Sequence, residues 1–160
     1  MEKTGFYVRR AFADDIEGIA NVTKEAFVKY AQMAGLPTVD ALSETYDQLK
    51  ADIENKYVFA AFLDGEVVGS VRIDVDLEKK EGYLSRFGVS LERQNLGVGK
   101  SLMNLVDIEM ISLGVKRLYL HTASKVGTLI RFYYGRGFYV ESTSTDKGYI
   151  RALLVKDYDA

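Results

Sequence analysis

The chain has 160 residues, of which 48% are hydrophobic and 28% are charged, a composition typical of one soluble globular domain. It has no cysteine and one histidine, His121, which excludes disulfides, thiolate nucleophiles and metal sites built from several histidines. The net charge of −2 disfavours nucleic acid as a partner. Without a membrane-length apolar run or a secretory signal, we expect a cytoplasmic protein of one domain over residues 1–160 that binds no membrane.

The first half of the chain predicts two helices followed by a hairpin. Asp14 and Asp15 suit the N-terminus of a helix, and the only proline, Pro37, interrupts the chain after it. The turn signal Asp64-Gly65 joins two apolar runs as antiparallel strands. In chain order, the predicted elements are a strand over 7–10, helices over 14–30 and 40–55, and strands over 57–63, 67–75 and 83–89.

The second half predicts two β-α-β crossovers. Gly114 suits the end of a helix that follows the segment QNLGVG. The elements are this helix to about 113, a strand over 117–123, a helix over 126–134, and strands over 138–145 and 149–155. The whole order, β-α-α-β-β-β-α-β-α-β-β, predicts an α/β fold of the mixed α+β kind, with about seven strands in one sheet and helices on both faces.

The segment QNLGVGKS resembles a nucleotide-binding P-loop at first sight. A P-loop needs glycine at position 94, which is Gln94 here, and the dinucleotide motif needs a third glycine where Leu102 stands. What remains is an anion-binding loop. Gly97 and Gly99 let the backbone approach an anion, the helix N-terminus supplies free N–H groups, and Lys100 adds a cation. The alternative is a glycine-rich helix start that binds nothing.

With its flanks, Gln94-x-x-Gly97-x-Gly99 resembles the acetyl-CoA signature of the Gcn5-related N-acetyltransferase superfamily, Gln/Arg-x-x-Gly-x-Gly/Ala. The segment RFYYGRGF, residues 131–138, matches the Phe-Tyr-x-x-x-Gly-Phe end of a second feature of that family. The order of elements is also the family's, so the resemblance covers essentially the whole chain. Tyr83 stands where the histone-acetylating branch has a glutamate base, which makes that base unavailable here.

The resemblance implies an N-acetyltransferase that uses acetyl-CoA as co-substrate, without a metal, and transfers the acetyl group to an amine of a small molecule or peptide. Val126 stands where the family often has an asparagine, so Ser124 or Thr128 is a candidate replacement for that contact. The implied cofactor-binding residues are Phe87, Gly88, Val89, Gln94, Asn95, Leu96, Gly97, Val98, Gly99, Lys100, Ser101 and Tyr133. Among them, Gly88 marks either a bulge or a close backbone approach.

Three residues are candidates for proton transfer. Tyr133 matches the family's tyrosine that protonates the coenzyme A thiolate. The general base stays open between Glu81, which is otherwise a solvated charge in KKEGY, and His121, whose ordinary pKa suits the role although a lone histidine is more often structural. The expected walls of the acceptor pocket are Tyr30, Met33 and Tyr83.

The acceptor is not identified by the sequence. The acidic segment DVDLEKKE, residues 74–81, slightly favours a cationic, polyamine-like amine. A second copy of the chain, in a homodimer, is a candidate partner. The alternative function is an acyl-CoA-binding sensor or partner module without catalysis, and Tyr133 together with the intact glycine loop argues against it.

Overall fold

The computed structural model describes residues 5–93 and 96–158, which form a seven-stranded sheet with four α-helices. The sheet order is β1-β2-β3-β4-β5-β7-β6, and only β4 and β5 run parallel. The elements are β1 (Phe6–Arg10), α1 (Ile16–Ala34), α2 (Tyr46–Asn55), β2 (Tyr57–Leu63), β3 (Glu66–Asp76), β4 (Glu81–Val89), α3 (Val98–Ser112), β5 (Arg117–Ala123), α4 (Gly127–Gly135), β6 (Tyr139–Ser144) and β7 (Arg151–Asp157).

The predicted order of elements and the mixed sheet are confirmed, and the helix predicted over 40–55 ends where expected but starts later, at Tyr46. A single turn of 3-10 helix at Asp40–Ser43 ends at Glu44, whose backbone is extended. α2 then starts separately, because the Thr45 hydroxyl accepts from the Gln48 backbone N–H and the Gln48 side chain accepts from the Thr45 N–H. α1 also runs past the predicted end to Ala34 and stops at Gly35, which has φ of 71°.

Helices cover both faces of the sheet, as predicted. Along β2, side chains alternate between the two sides: Phe59 and Ala61 join the core cluster of α3, whereas Val58 and Phe62 join the cluster of α1 and α2. This two-sided burial explains the nearly continuous apolar sequence of β2. None of the helices in the described part of the chain is both long and apolar enough to cross a membrane.

A buried ionic cluster connects β3 to the segment before α2. The Arg72 side chain is completely buried, and its guanidinium donates to Glu44 Oε1 at 2.7 Å and to Asp52 Oδ2 at 3.0 Å. Arg86 of β4 lies 3.5 Å from Glu44 through its Nε, and Lys56 forms an ion pair with Asp52 at 3.3 Å. The cluster therefore holds the turn before α2 against the centre of the sheet.

A β-bulge interrupts β4 next to this cluster. Ser70 pairs with Gly88 and Arg72 pairs with Ser85, so two residues of β4 stand opposite one residue of β3. The bulged residue Arg86 has φ of 53°, in the left-handed region. Gly88 itself is a site of close approach, because a Cβ there would lie 2.8 Å from the Cβ of Ala26 on α1. Of the two alternatives predicted for Gly88, the close approach is therefore observed there, and the bulge lies two residues earlier, at Arg86.

Candidate functional site

The sheet splits between β4 and β5. These parallel strands pair only at their first three residues, Glu81–Tyr83 of β4 with Arg117–Tyr119 of β5. Beyond Tyr83, the edge of β4 that faces β5 has no strand partner among residues 5–93 and 96–158. Its backbone N–H and C=O groups are therefore available to a ligand, as expected for the segment Phe87-Gly88-Val89.

Two cavities of about 440 Å³ each open at this split. The first, named the loop cavity, lies between the end of β4, the start of α3, α1 and α4. The second, named the strand cleft, lies between β4 and β5 and reaches the loop before β7. Four residues line both cavities, so the two spaces meet: Phe27, Tyr30, Phe87 and Leu129.

The loop cavity brings together six of the predicted cofactor-binding residues, Phe87, Gly88, Val89, Gly97, Gly99 and Lys100. The predicted replacement Thr128 also lines it, whereas Ser124 lies elsewhere and its hydroxyl donates to the Ile150 carbonyl at 3.4 Å. Sequence analysis missed Ala26, Lys29 and Phe132. Ala26 and Lys29 belong to α1, far from the glycine loop along the chain, and no local motif marks them.

Four other predicted cofactor-binding residues do not line the loop cavity, and one of them, Tyr133, lines the strand cleft instead. Leu96 is exposed, Val98 is buried against the core, and Ser101 continues the helix by donating its backbone N–H to the Gly97 carbonyl at 3.0 Å. Gln94 and Asn95 lie outside the described residues.

The two glycines of the loop have different roles. Gly97 has φ of 77°, and no atom lies within 4 Å of the position where its Cβ would be. It precedes α3, whose first N–H groups have no intrahelical partners, and the start of this helix lines the loop cavity. The missing Cβ of Gly99 instead faces the ring of Phe87 at 2.9 Å. Gly97 fits the expected anion-binding loop, whereas Gly99 allows close packing of the aromatic wall.

Tyr133 lies next to Phe87, one of the residues that line both cavities. Its side chain is only 4% exposed and lines the strand cleft. Its ring is held edge-on by Phe138 and Phe132, with centroids 5.5 Å away in each case, and Phe87 lies 6.0 Å away. Burial, with a smaller effect of Tyr30, raises the pKa of Tyr133 well above its ordinary value. The hydroxyl therefore remains protonated at neutral pH.

His121 and Tyr83 form a hydrogen-bonded pair in the strand cleft. The Tyr83 hydroxyl lies 2.8 Å from His121 Nδ1. Burial, and secondly the guanidinium of Arg151, lower the pKa of His121 below its ordinary value, so the imidazole is neutral at neutral pH. Burial raises the pKa of Tyr83, which keeps its hydroxyl protonated. The cleft thus contains a proton acceptor and, in Tyr133, a proton donor.

The other predicted substrate-binding and catalytic residues, Tyr30, Met33 and Glu81, do not all lie in the strand cleft. Tyr30 lines both cavities, and its hydroxyl accepts from the Ala123 backbone N–H at 2.7 Å. Met33 lines the loop cavity rather than the strand cleft. Glu81 lies at the paired end of β4 and is not brought to Tyr133; it lines a separate hollow with Asp74 and Asp76. The acidic segment 74–81 therefore contributes no lining residue to the strand cleft.

The chain matches the sequence model of the Acetyltransferase (GNAT) family over residues 25–138, which include β4, the glycine loop and Tyr133. The chain belongs to this family. The match ends at Phe138, the last residue of the predicted Phe-Tyr-x-x-x-Gly-Phe feature, and so covers both motifs of this GNAT acetyltransferase. The comparison with curated proteins returned no match.

Solved structures of low sequence identity share the fold of this GNAT protein. The PaiA N-acetyltransferase from Thermoplasma acidophilum, in complex with coenzyme A, is 20% identical with a TM-score of 0.84, over 97% of this chain and 100% of that one. The ribosomal-protein-S18-alanine N-acetyltransferase from Escherichia coli is 16% identical with a TM-score of 0.78, over 97% and 95%. A spermidine N-acetyltransferase SpeG chimera from Vibrio cholerae and hSSAT is 15% identical with a TM-score of 0.76, over 96% of each chain.

Proposed function

We propose that this protein transfers the acetyl group of acetyl-CoA to an amine of a small molecule by direct attack of the amine on the thioester. The observation that carries this proposal is the convergence of the loop cavity and the strand cleft beside Tyr133. One cavity contains an anion-binding helix start, and the other contains a neutral histidine. A cofactor and an acceptor that enter from the two sides would meet at the split between β4 and β5.

The residues of the loop cavity fit acetyl-CoA, which supplies an activated thioester. The N–H groups at the start of α3 and the Lys100 ammonium suit its pyrophosphate. The unpaired edge of β4 suits the amide-bearing arm, and one of its N–H groups would polarise the thioester carbonyl. Two structural relatives, one in complex with coenzyme A and one a spermidine N-acetyltransferase, support this assignment.

Tyr133 and His121 divide the proton transfers in the proposed reaction. The new N–C bond forms as the C–S bond breaks; His121 takes a proton from the amine, and Tyr133 gives one to the departing sulfur. For His121 to act as the base, its Nδ1–H must donate to the Tyr83 oxygen, which leaves Nε2 free to accept. Tyr83 is then a positioning residue that selects the tautomer.

Ligand identity tests the proposed function directly. In isothermal titration we expect acetyl-CoA to bind far more tightly than ATP, because position 94 lacks the glycine that a P-loop needs. With a panel of amines, acetyl-CoA turnover should release free thiol. ATP binding without acetyl-CoA binding would overturn the proposal, and tight acetyl-CoA binding without turnover of any amine would favour the sensor function.

A matched pair of variants, Gly97→Ala and Gly114→Ala, can separate the proposed anion-binding role of Gly97 from the effect of its backbone conformation on stability. Gly97 and Gly114 lie at opposite ends of α3, with φ of 77° and 78°, and neither has an atom within 4 Å of its missing Cβ. Alanine at either position forces an unfavourable left-handed residue, which costs about 1–2 kcal/mol. We expect Gly97→Ala to weaken acetyl-CoA affinity about tenfold. The strained backbone would shift the first amides of α3 away from the pyrophosphate, and a loss of binding free energy of roughly that size corresponds to this factor.

Gly114→Ala is the control, because it should reduce stability by a similar amount and leave acetyl-CoA affinity unchanged. Titration calorimetry measures the affinity and urea unfolding measures the stability. If both variants bind acetyl-CoA equally well, the start of α3 does not hold the pyrophosphate.

A further inference from the structure

The strand cleft is lined by three cationic side chains, Arg86, Lys147 and Arg151, and by one carboxylate, Asp40, among the residues described. We propose that the acceptor is a small amino carboxylate, whose carboxylate group binds Arg151 and Arg86 while its amine faces His121. This inference rests on the proposed function and adds the class of acceptor. It opposes the cationic acceptor that the acidic segment 74–81 suggested.

Arg151 has hydrogen-bonding capacity that the protein does not use. Its side chain is only 15% exposed, and Nη2 donates to both carboxylate oxygens of Asp146 at 3.2 Å. Its Nε is buried and finds no acceptor in residues 5–93 and 96–158. A buried donor without a partner costs free energy, and a planar guanidinium is suited to hold a carboxylate through two parallel hydrogen bonds. Because Arg151 also lines the strand cleft, its guanidinium is the group there that a ligand carboxylate would bind.

Arg86 reaches the same space from the opposite strand because of the bulge in β4. Its left-handed backbone, with φ of 53°, is unusual for a residue with a long side chain. Its Nε lies 3.5 Å from Glu44, at the limit of a hydrogen bond, and its side chain is 28% exposed. The charges of Arg86 and Arg151 both act on Tyr83 and lower its pKa against the larger, opposite effect of burial. Arg86, Arg151 and Tyr83 all line the strand cleft.

The positive charge also suits the chemistry of the amine. An acceptor amine must lose its proton before it attacks, and nearby cations lower the pKa of an ammonium group. The same charges would repel a polyamine, whose second ammonium would have to enter the cleft, and would attract a compound that carries a carboxylate. A volume of about 440 Å³ is in the range of small-molecule sites.

The test compares acceptors that carry a carboxylate with acceptors that lack one. Glycine, alanine, phenylalanine and glutamate are each assayed against their α-carboxamides, with spermidine as the cationic acceptor, by release of free thiol from acetyl-CoA. We expect kcat/KM to favour the free carboxylates by about tenfold or more, the size of one charge-assisted hydrogen bond. Arg151→Gln should remove this preference by raising KM for the carboxylates much more than KM for the carboxamides, whereas any change in the pKa of His121 affects both acceptor classes alike.

Two further variants separate recognition from stability. Arg117→Gln changes an arginine that is also paired with carboxylates, Asp157 and Glu141, at the closed end of the split, and it should keep the preference. Asp146→Asn releases Arg151 from its exposed partner and should lower KM for the carboxylates. This variant still tests the idea if Arg151→Gln fails to fold.

The outcomes distinguish the two proposals. Equal or better transfer to the carboxamides or to spermidine would overturn the assignment of the acceptor and leave acetyl transfer to amines intact. A preference for carboxylates that persists in Arg151→Gln and is unchanged in Asp146→Asn would overturn the role of Arg151. Absence of thiol release with every amine would overturn the proposed function and this inference with it.

Discussion

Replacing Tyr133 by phenylalanine is expected to lower kcat by about 10²–10⁴-fold, the usual contribution of a general acid or base. The thiol of the leaving group has a pKa of about 8.5, so the thiolate departs faster when it receives a proton as the C–S bond breaks. The phenylalanine ring keeps the edge-on contacts with Phe132 and Phe138, so folding and acetyl-CoA affinity should change little. Thiol-release kinetics and titration calorimetry measure the two quantities.

Tyr134→Phe is the matched control for Tyr133→Phe. The two tyrosines are adjacent on α4, but Tyr134 is 52% exposed whereas Tyr133 is 4% exposed and faces the strand cleft. We expect Tyr134→Phe to retain full activity. An unchanged kcat in Tyr133→Phe would show that Tyr133 is not the general acid. A low kcat in Tyr134→Phe would show that the acid is Tyr134, on the other face of α4.

Replacing Arg72 by methionine is expected to lower the free energy of unfolding by about 3 kcal/mol, at the lower end of the range for breaking a buried ion pair. The variant leaves Glu44 and Asp52 without their shared buried partner. The loss stays at the lower end because Arg86 and Lys56 still face these carboxylates. Urea unfolding monitored by fluorescence or circular dichroism measures the change.

Arg117→Met serves as the comparison, since Arg117 also pairs with two carboxylates but is exposed to solvent. Water screens that pair, so a much smaller loss is expected. If Arg72→Met is as stable as Arg117→Met, the buried cluster contributes little to folding. Because Arg86 shares Glu44 with Arg72, we also expect Arg72→Met to disturb the bulge and the acceptor side of the cleft.

The parts of the fold that could be predicted depend on local pattern. The apolar run of β2 and the hairpin turn at Asp64-Gly65 are recognisable without tertiary contacts, and both were placed correctly. The break before α2 was missed, because the apolar spacing of Leu42 and Leu49 continues through it. The reciprocal capping of Thr45 and Gln48 was available in the sequence and indicates the true start of α2.

The acceptor side of the site could not be predicted, because its residues come together only in the folded sheet. Arg86 lies at a bulge and has a left-handed backbone itself. A glycine would have indicated such a conformation in the sequence, whereas an arginine does not. Arg151 belongs to β7, and it reaches β5 and His121 through long-range strand pairing. The glycine loop and Tyr133 were identifiable because each lies in a short contiguous motif.

The short pairing between β4 and β5 has a consequence for thermal stability. Three residue pairs provide the only direct strand pairing between the half-sheet β1–β4 and the half-sheet β5–β7, in the described residues. A ligand that binds in the split between β4 and β5, beyond Tyr83, would contact both half-sheets and would bind only the folded chain. It therefore contributes RT ln(1 + [L]/Kd) to the free energy of unfolding, about 2.7 kcal/mol at a hundredfold excess over Kd. The melting temperature of this protein should accordingly rise with the logarithm of cofactor concentration.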